Sequence, residues 1–245
     1  MSNPVIPNFD HIQFDPAAHR YTANGAELTG VTRYLQQFQK PFDKENIAAR
    51  IAERENRPVA EILKEWEAKG KSGMALGSRV HEHIEAKLRG KAIEDDPFLA
   101  QNGKSDVPEI EAFNTYWNRV QATMIPEKIE FVIGSAALGL AGTVDCLVSS
   151  PKTKQFHLVD WKTGKFDTYN KFEYLLPPFD DQTASKLNIY SLQLSLYRLI
   201  LEQAGLTLGD SYIVHLSREG AQTYKAVDYR PEFERLLAAT EEVPF

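Results

Sequence analysis

The stretch that decides the fold is residues 139–165, GLAGTVDCLVSSPKTKQFHLVDWKTGK. Its β-branched and aromatic side chains predict two strands, over residues 143–148 and 156–161. The polar run at 149–154 contains serine, threonine and proline and predicts the turn that joins them. The stretch therefore predicts a pair of strands that are adjacent in the chain and in the sheet.

Two acidic residues lie in these otherwise apolar strands. Asp145 interrupts the first strand, and Asp160 follows Leu158-Val159 in the second. Side chains two residues apart on a strand share a face, so Asp160 and Lys162 should point the same way. If the strands pair, Asp145 comes alongside Asp160, and two carboxylates and one ammonium converge at one point of the sheet.

Close carboxylates repel unless a cation lies between them, and Mg²⁺ prefers oxygen ligands. A lysine beside such an ion can orient a water molecule or stabilise charge on a phosphoryl oxygen. The alternative is an exposed hairpin end with a surface ion pair between Asp160 and Lys162, which contributes little to stability. Strand geometry alone leaves both interpretations open.

Composition limits the class of protein. A chain of 245 residues can bury a substantial core, and 42% hydrophobic and 25% charged residues are ordinary for a globular protein. The single cysteine, Cys146, excludes an internal disulfide, a Cys₄ zinc site and a cysteine-ligated iron–sulfur cluster. With no signal peptide or apolar span visible, we expect a cytoplasmic protein without membrane contact. The net charge of −6 argues against a broadly basic coat for nucleic acid.

Periodicity predicts the remaining elements, and the absence of internal repeats and low-complexity tracts favours a single domain. A small β-hairpin is expected within residues 9–29, and the segment 165–183 is expected to be a lid or binding loop. Gly70-Lys71-Ser72-Gly73 is expected to interrupt the helical region, and residues 90–106 to form a loop. Helices are predicted over residues 43–54, 58–68, 74–88, 108–123 and 185–204 and after Pro231, with further strands over 127–132, 211–216 and 223–227.

The helix predicted over residues 74–88 carries His81 and Glu85 on one face, four residues apart. A zinc-protease helix would need histidine at position 85, so that class is excluded. His81 is either a hydrogen-bonded core histidine or part of a site, and Gly77 on the same face would let another backbone or a ligand approach closely. Glu130, on the strand before the acidic pair, is either a third carboxylate of the site or an ordinary solvent-facing residue.

Four motifs together resemble the RecB-like branch of the PD-(D/E)XK nuclease superfamily. They occur in the order of that family and are Gly77-x-x-x-His81, Gly142-Thr-Val-Asp145, Asp160-Trp-Lys162-Thr-Gly and Gln193-x-x-x-Tyr197. A looser likeness to small phage or bacterial members lies in His19-x-Tyr21, Val31-Thr32 and Trp66. Several relatives bind an iron–sulfur cluster through four cysteines, so the chain is more similar to cluster-free exonucleases of the phage or mitochondrial genome maintenance type.

The resemblance implies a role for each motif residue. His81, Asp145, Asp160 and the backbone carbonyl of Trp161 would bind the metal, and Lys162 would position or activate the attacking water. Three residues would support the site and contact the nucleic-acid strand, and two carboxylates would lie at its margin, with Glu85 orienting His81. The first three are Gln193, Tyr197 and Thr163, and the two carboxylates are Glu85 and Glu130.

We therefore expect an α/β fold, with a small mixed central β-sheet flanked by helices, a restriction-endonuclease-like core and a helical N-terminal elaboration. One nuclease domain should span residues 1–245, with the elaboration at 1–73 and the catalytic core at 74–230. The expected activity is hydrolysis of DNA phosphodiesters with Mg²⁺ or Mn²⁺ and without an iron–sulfur cluster. We expect an exonuclease for single strands or DNA ends in recombination, repair or replication, with recombination or replication proteins as possible partners. The alternatives are a structure-specific endonuclease and a non-catalytic nucleic-acid-binding or assembly module.

Overall fold

The computed structural model describes residues 5–91 and 105–241. The first part of the chain forms a three-stranded meander and three helices, and the second part contains the remaining strands with three helices. In chain order the elements are β1 (Ile12–Asp15), β2 (Arg20–Ala23), β3 (Ala26–Gly30), α1 (Val31–Tyr34), α2 (Lys44–Glu55), α3 (Val59–Leu88), α4 (Pro108–Val120), β4 (Ile125–Ser135), β5 (Leu140–Ser149), β6 (Phe156–Lys162), α5 (Lys186–Gln203), β7 (Leu208–Ser217), β8 (Gly220–Lys225) and α6 (Arg230–Glu241).

One mixed sheet joins all eight described strands. The path β1-β2-β3-β5-β6-β7-β8 is continuous, and β4 pairs with β5. The β3–β5 and β6–β7 pairs are parallel, and the other pairs are antiparallel. The predicted fold class, a mixed central sheet flanked by helices, is confirmed.

The two edges of β5 are used differently. Strand β4 pairs along the whole of one edge, from Leu140 to Ser149. On the other edge β3 pairs only at Leu140 and Ala141, and β6 pairs only from Cys146 to Ser149. Among the residues that the structure describes, 142–145 therefore have no strand partner on this second edge. We call residues 142–145 the open segment of β5.

Both faces of the central strands are buried, which explains their nearly continuous apolar sequence. One face contributes Leu147, Leu158 and Ile213 to a core that α5 and α6 cover. The opposite face contributes Cys146 and Trp161, among others, to a second core under α3 and α4. Adjacent residues of β5 and β6 therefore pack into different cores, and this fixes the strand register.

Helix α3 corrects the prediction of an interruption at residues 70–73, because it continues without a break from Val59 to Leu88. Glycine costs about 1 kcal/mol in a helix interior, which strong helix formers on both sides can offset. Tertiary contacts anchor both halves as well: Ile62 packs in the small core with α2, and Val80 packs in the core with α4. The expected boundary between residues 73 and 74 falls within this helix.

The other predicted helices and strands are confirmed with shifted ends, and the role of residues 165–183 as a lid or binding loop stays a prediction. The hairpin region holds three strands, and the strand predicted at 127–132 is the eleven-residue β4. The predicted loop at 90–106 lies mostly outside the described residues, which omit 92–104. The segment 165–183 contains one isolated bridge, between Tyr174 and Thr183. In the parts of the chain that the structure describes, no helix is long and apolar enough to cross a bilayer.

Candidate active site

The two acidic residues of the central strands meet at the open segment. The β5–β6 ladder ends at the pair Cys146–Val159, and Asp145 and Asp160 each lie one residue beyond it. Here the carboxylate of Asp145 accepts a hydrogen bond of 2.8 Å from the backbone N–H of Trp161. A side chain thus takes the place of the β5 backbone as the partner of β6, and both carboxylates lie at the point where the strands separate.

The side chain of Trp161 anchors this part of β6. The ring is buried and lies edge-on to Phe113 and Tyr116 of α4. Parallel pairing with β7 continues to Lys162, opposite His215. Because these contacts fix the backbone at residue 161, its N–H and its carbonyl oxygen keep defined directions toward the site.

Helix α3 brings His81 to the same place. Its Nε2 lies 3.1 Å from the carbonyl oxygen of Trp161, within hydrogen-bond distance. Its Nδ1 lies 3.6 Å from Glu130 Oε1 and 3.9 Å from Asp145 Oδ2. Burial would lower the pKa of His81, but the two carboxylates outweigh it and raise the pKa to about 9. The local potential therefore favours a positive charge.

Strand β4 contributes Glu130, which faces Asp145 because the neighbouring pairs are Ile129–Cys146 and Phe131–Val144. The backbone of Glu130 has φ = 48°, in the left-handed region that residues other than glycine rarely adopt. Such strained residues are concentrated at functional sites. Of the two interpretations that the sequence left open, the structure places Glu130 beside His81 and Asp145.

Lys162 and Asp160 form a buried ion pair on one face of β6. Nζ of Lys162 lies 2.9 Å from Oδ1 and 2.8 Å from Oδ2 of Asp160. Burial alone would lower the pKa of Lys162, but Asp160 and Asp145 outweigh burial and raise it. The ammonium is therefore charged at neutral pH, so it can donate hydrogen bonds and neutralise negative charge but cannot accept a proton. Burial raises the pKa of Asp160 to about 6, against the opposing effect of Lys162.

Helix α5 packs against the open segment of β5 through the ring of Tyr197. The side-chain amide of Gln193 donates to the hydroxyl of Tyr197 at 3.0 Å. A Cβ added at Gly142 would lie 2.5 Å from the Tyr197 ring, so only glycine lets this ring pack against β5. Both side chains are buried. Their position matches the expected supporting role, and it leaves them little surface for contact with a nucleic-acid strand.

The remaining predicted residues lie at the margin of the site. Thr163 directly follows Lys162, and a Cβ added at Gly77 of α3 would lie 3.6 Å from its hydroxyl. Glu85 accepts a hydrogen bond of 2.8 Å from Arg89, and its expected contact with His81 stays a prediction.

The sequence analysis missed one neighbour of Lys162. Nζ of Lys162 lies 4.8 Å from the centre of the Tyr190 ring, a cation–π distance. At an apolar position of an amphipathic helix, Tyr190 is typical of a core residue. Its spacing three residues before Gln193, on the same side of the helix, was the available signal.

The chemistry of this cluster fits a divalent metal. Ligand atoms of His81, Glu130 and Asp145 all lie within 4.8 Å of one another. Oδ2 of Asp160 is buried and accepts no hydrogen bond from any residue that the structure describes, although Lys162 lies beside it. Carboxylate oxygens, a carbonyl oxygen and one imidazole form a mainly hard donor set, which suits Mg²⁺ or Mn²⁺.

Comparison with known proteins identifies the class. The family model of the PD-(D/E)XK nuclease superfamily matches residues 33–243. The chain belongs to this superfamily, whose members are nucleases that use divalent metal ions. No curated protein gives a significant match.

Solved structures that are similar to this chain include two with low sequence identity. The first is named "Putative exonuclease" and comes from Eubacterium rectale; it is 14% identical, with a TM-score of 0.40, and the alignment covers 69% of this chain and 64% of that one. This chain therefore spans less than two thirds of the length of that relative. The second is SSO0001, which is 12% identical with a TM-score of 0.31, over 69% of this chain and 75% of that one.

Proposed function

We propose that this protein is a Mg²⁺- or Mn²⁺-dependent deoxyribonuclease, an exonuclease that acts on single strands or DNA ends. The observation that carries the proposal is the convergence of His81 and Asp145 on the backbone of Trp161 in β6, next to the ion pair of Asp160 and Lys162. His81 and Asp145 each contact the peptide groups of Trp161, from two different elements. A purely structural salt bridge would not need an imidazole from α3 at the same point.

The proposed metal ligands are His81, Asp145, Asp160 and the carbonyl oxygen of Trp161, with Glu130 as a further carboxylate. When bound, the metal would neutralise charge on a phosphoryl group and lower the pKa of a water molecule. The carboxylates of Asp145 and Glu130 supply the negative charge that favours the cation, and Trp161 holds its carbonyl in place through its buried ring.

Lys162 has the role of a fixed cation. Its ammonium is held by Asp160 and is charged at neutral pH, so it donates hydrogen bonds to the attacking water or to a phosphate oxygen. A carboxylate or the substrate phosphate could then accept the proton from the attacking water. Gln193 and Tyr197 would keep the open segment in position through their packing against it. Thr163, which follows Lys162, is the proposed contact with the nucleic-acid strand.

The test is cleavage of end-labelled linear single-stranded DNA with Mn²⁺, Mg²⁺ or EDTA. We expect metal-dependent products from the wild type, and a loss of at least about 100-fold in rate for Asp145→Asn and Lys162→Met. Asp210→Asn removes an acid of the same sheet whose partner is the exposed Lys225, and it should cleave normally. Thermal melting of each variant confirms folding. Full activity of Asp145→Asn and Lys162→Met would contradict the proposal.

A covalently closed circular single strand separates exonuclease from endonuclease, because an exonuclease needs an end. Digestion of the circle at the rate of the linear strand would favour the structure-specific endonuclease. Binding of DNA without any metal-dependent product would favour the non-catalytic module. The presence of every catalytic residue type of the family counts against that module.

The proposal also covers the branch of the superfamily and the number of domains in the chain. The order of the four motifs supports the RecB-like branch and a cluster-free enzyme of the phage or mitochondrial type. The continuity of α3, which contacts both α2 and the catalytic core, supports a single domain over residues 1–245. A role in recombination, repair or replication would bring such an enzyme into contact with proteins of those processes.

A further inference from the structure

A cavity of about 420 Å³ adjoins the candidate metal cluster, and the proposed nuclease function does not account for it. We call it the hairpin pocket and define it by six of its lining residues. They are Phe14, His19, Tyr21, Thr32, Glu85 and Glu130. Its volume falls within the range of about 300–1,000 Å³ that is typical of pockets for small ligands.

The N-terminal meander forms the aromatic wall. Phe14 and Tyr21 stack with ring centres 4.5 Å apart, and His19 lies edge-on to both at 5.5 and 6.2 Å. The hydroxyl of Tyr21 hydrogen-bonds Thr143 of the open segment at 3.1 Å, which fixes this wall to the catalytic strand. His19 has φ = 48°, a left-handed conformation that holds its exposed ring at the turn between β1 and β2.

The opposite wall belongs to the site itself. Glu130 lines the pocket and also lies in the candidate metal cluster, and Thr143 precedes Asp145 by two residues. Among the lining residues that the structure describes, none is lysine or arginine. A phosphate group inside the pocket would face two carboxylates that already have cationic neighbours, Glu85 with Arg89 and Glu130 with His81. A neutral planar group would instead meet three rings.

We propose that the hairpin pocket binds the unpaired base of the nucleotide whose phosphate lies at the metal cluster. This inference rests on the proposed nuclease function and specifies its substrate. Bases of any sequence stack on aromatic side chains, so the pocket selects for an unstacked base and not for its identity. A base in a pocket of this size is out of a duplex, and the enzyme should therefore prefer single strands and frayed ends.

Two substitutions remove rings while they preserve local structure. Phe14→Leu keeps apolar volume where Phe14 packs against the core, and His19→Asn suits the left-handed backbone that asparagine tolerates. The control is Phe42→Ala, which removes an exposed ring that does not line the pocket. Thermal melting shows whether each variant is folded.

The first arm measures cleavage of single-stranded DNA that carries one abasic analogue in its middle, so that digestion from either end reaches it. The wild type should pause there, with the step about ten-fold slower than at normal positions, the size expected for one stacked base. The variant with both substitutions should cut normal positions about ten-fold more slowly and show no additional pause. If the double variant pauses at the abasic analogue as strongly as the wild type does, the proposed base-binding role of the hairpin pocket is wrong.

The second arm does not depend on cleavage. Two oligonucleotides, one with 2-aminopurine at the 5′ end and one at the 3′ end, are titrated with protein in Ca²⁺, and emission reports stacking of the base. The wild type and Phe42→Ala should change the emission of at least one of them, and the double variant should bind without that change. Absence of any cleavage by the wild type would contradict the proposed function, whereas equal emission changes in wild type and double variant would contradict the pocket alone.

Discussion

At the scale of single residues, function and stability oppose each other at Glu130. Its carboxylate lies close to that of Asp145, and its backbone has the left-handed φ of 48°. A left-handed residue other than glycine costs about 1–2 kcal/mol, and like charges at short distance add to that cost. The contacts with His81 offset part of it, and a bound cation would offset more. Strain of this kind fits the proposed role of the Glu130 carboxylate as a metal ligand.

This strain predicts an unusual order of stabilities. Glu130→Gly and Glu130→Ala both remove the carboxylate, but only glycine adopts the left-handed conformation without strain, so it should be more stable than alanine by about 1 kcal/mol. In a chain of this length the difference corresponds to about 2–4 °C in the melting temperature without added metal.

The matched control is Lys128 on the same strand, which pairs with Leu147 and has no positive φ. There, glycine should be the less stable of the two substitutions, because it weakens a strand. The prediction is wrong if Glu130→Ala melts at the same temperature as Glu130→Gly or at a higher one.

At the scale of elements, α3 and β5 determine where the site forms. Helix α3 carries His81 in its last third, and its continuity fixes the imidazole relative to the N-terminal region. Strand β5 leaves residues 142–145 open on one edge, so that side chains and not backbone groups complete the contacts with β6. Local interruption of regular pairing thus creates the space for the polar cluster.

The continuity of α3 predicts the effect of filling its glycines. An added Cβ at Gly70 or Gly73 meets no atom within 4 Å, and neither residue has a positive φ. Gly70→Ala and Gly73→Ala should each stabilise the protein by up to about 1 kcal/mol, seen as a rise of about 2–4 °C in thermal melting.

Gly142→Ala provides the opposite case, because its Cβ would lie 2.5 Å from Tyr197 and should lower the melting temperature. A fall in melting temperature for both α3 substitutions would show that the helix is interrupted at residues 70–73, as the sequence pattern indicated.

At the scale of the whole molecule, local patterns predicted most of the sheet and part of the site. The positions of Asp145, Asp160 and Lys162 on neighbouring strands followed from periodicity, since strand pairing is local in this region. The contact of His81 with Trp161 spans 80 residues, and only the resemblance to a family connected the two. Register beyond neighbouring strands depends on tertiary packing, which one sequence does not contain.

Three features of the structure are not determined by local sequence patterns. Glu130 faces Asp145 through the exact register of β4 on β5, and its left-handed φ has no sequence signature for glutamate. Helix propensity alone predicts a break at the glycines of α3. It does not include the packing of Ile62 and Val80 in two cores, which holds both halves of the helix. The hairpin pocket joins residues 14–32 to residues 130–143, and their contact depends on the parallel β3–β5 pair.

The central claim is that α3, β4, β5 and β6 together form one divalent metal site. Anomalous diffraction from a crystal soaked in Mn²⁺ tests it most directly. The account predicts one strong peak in contact with Asp145 and at least two further groups among His81, Glu130, Asp160 and the carbonyl oxygen of Trp161, and its loss in Asp145→Asn. A peak elsewhere on the molecule, or none at this cluster at saturating Mn²⁺, would contradict the account.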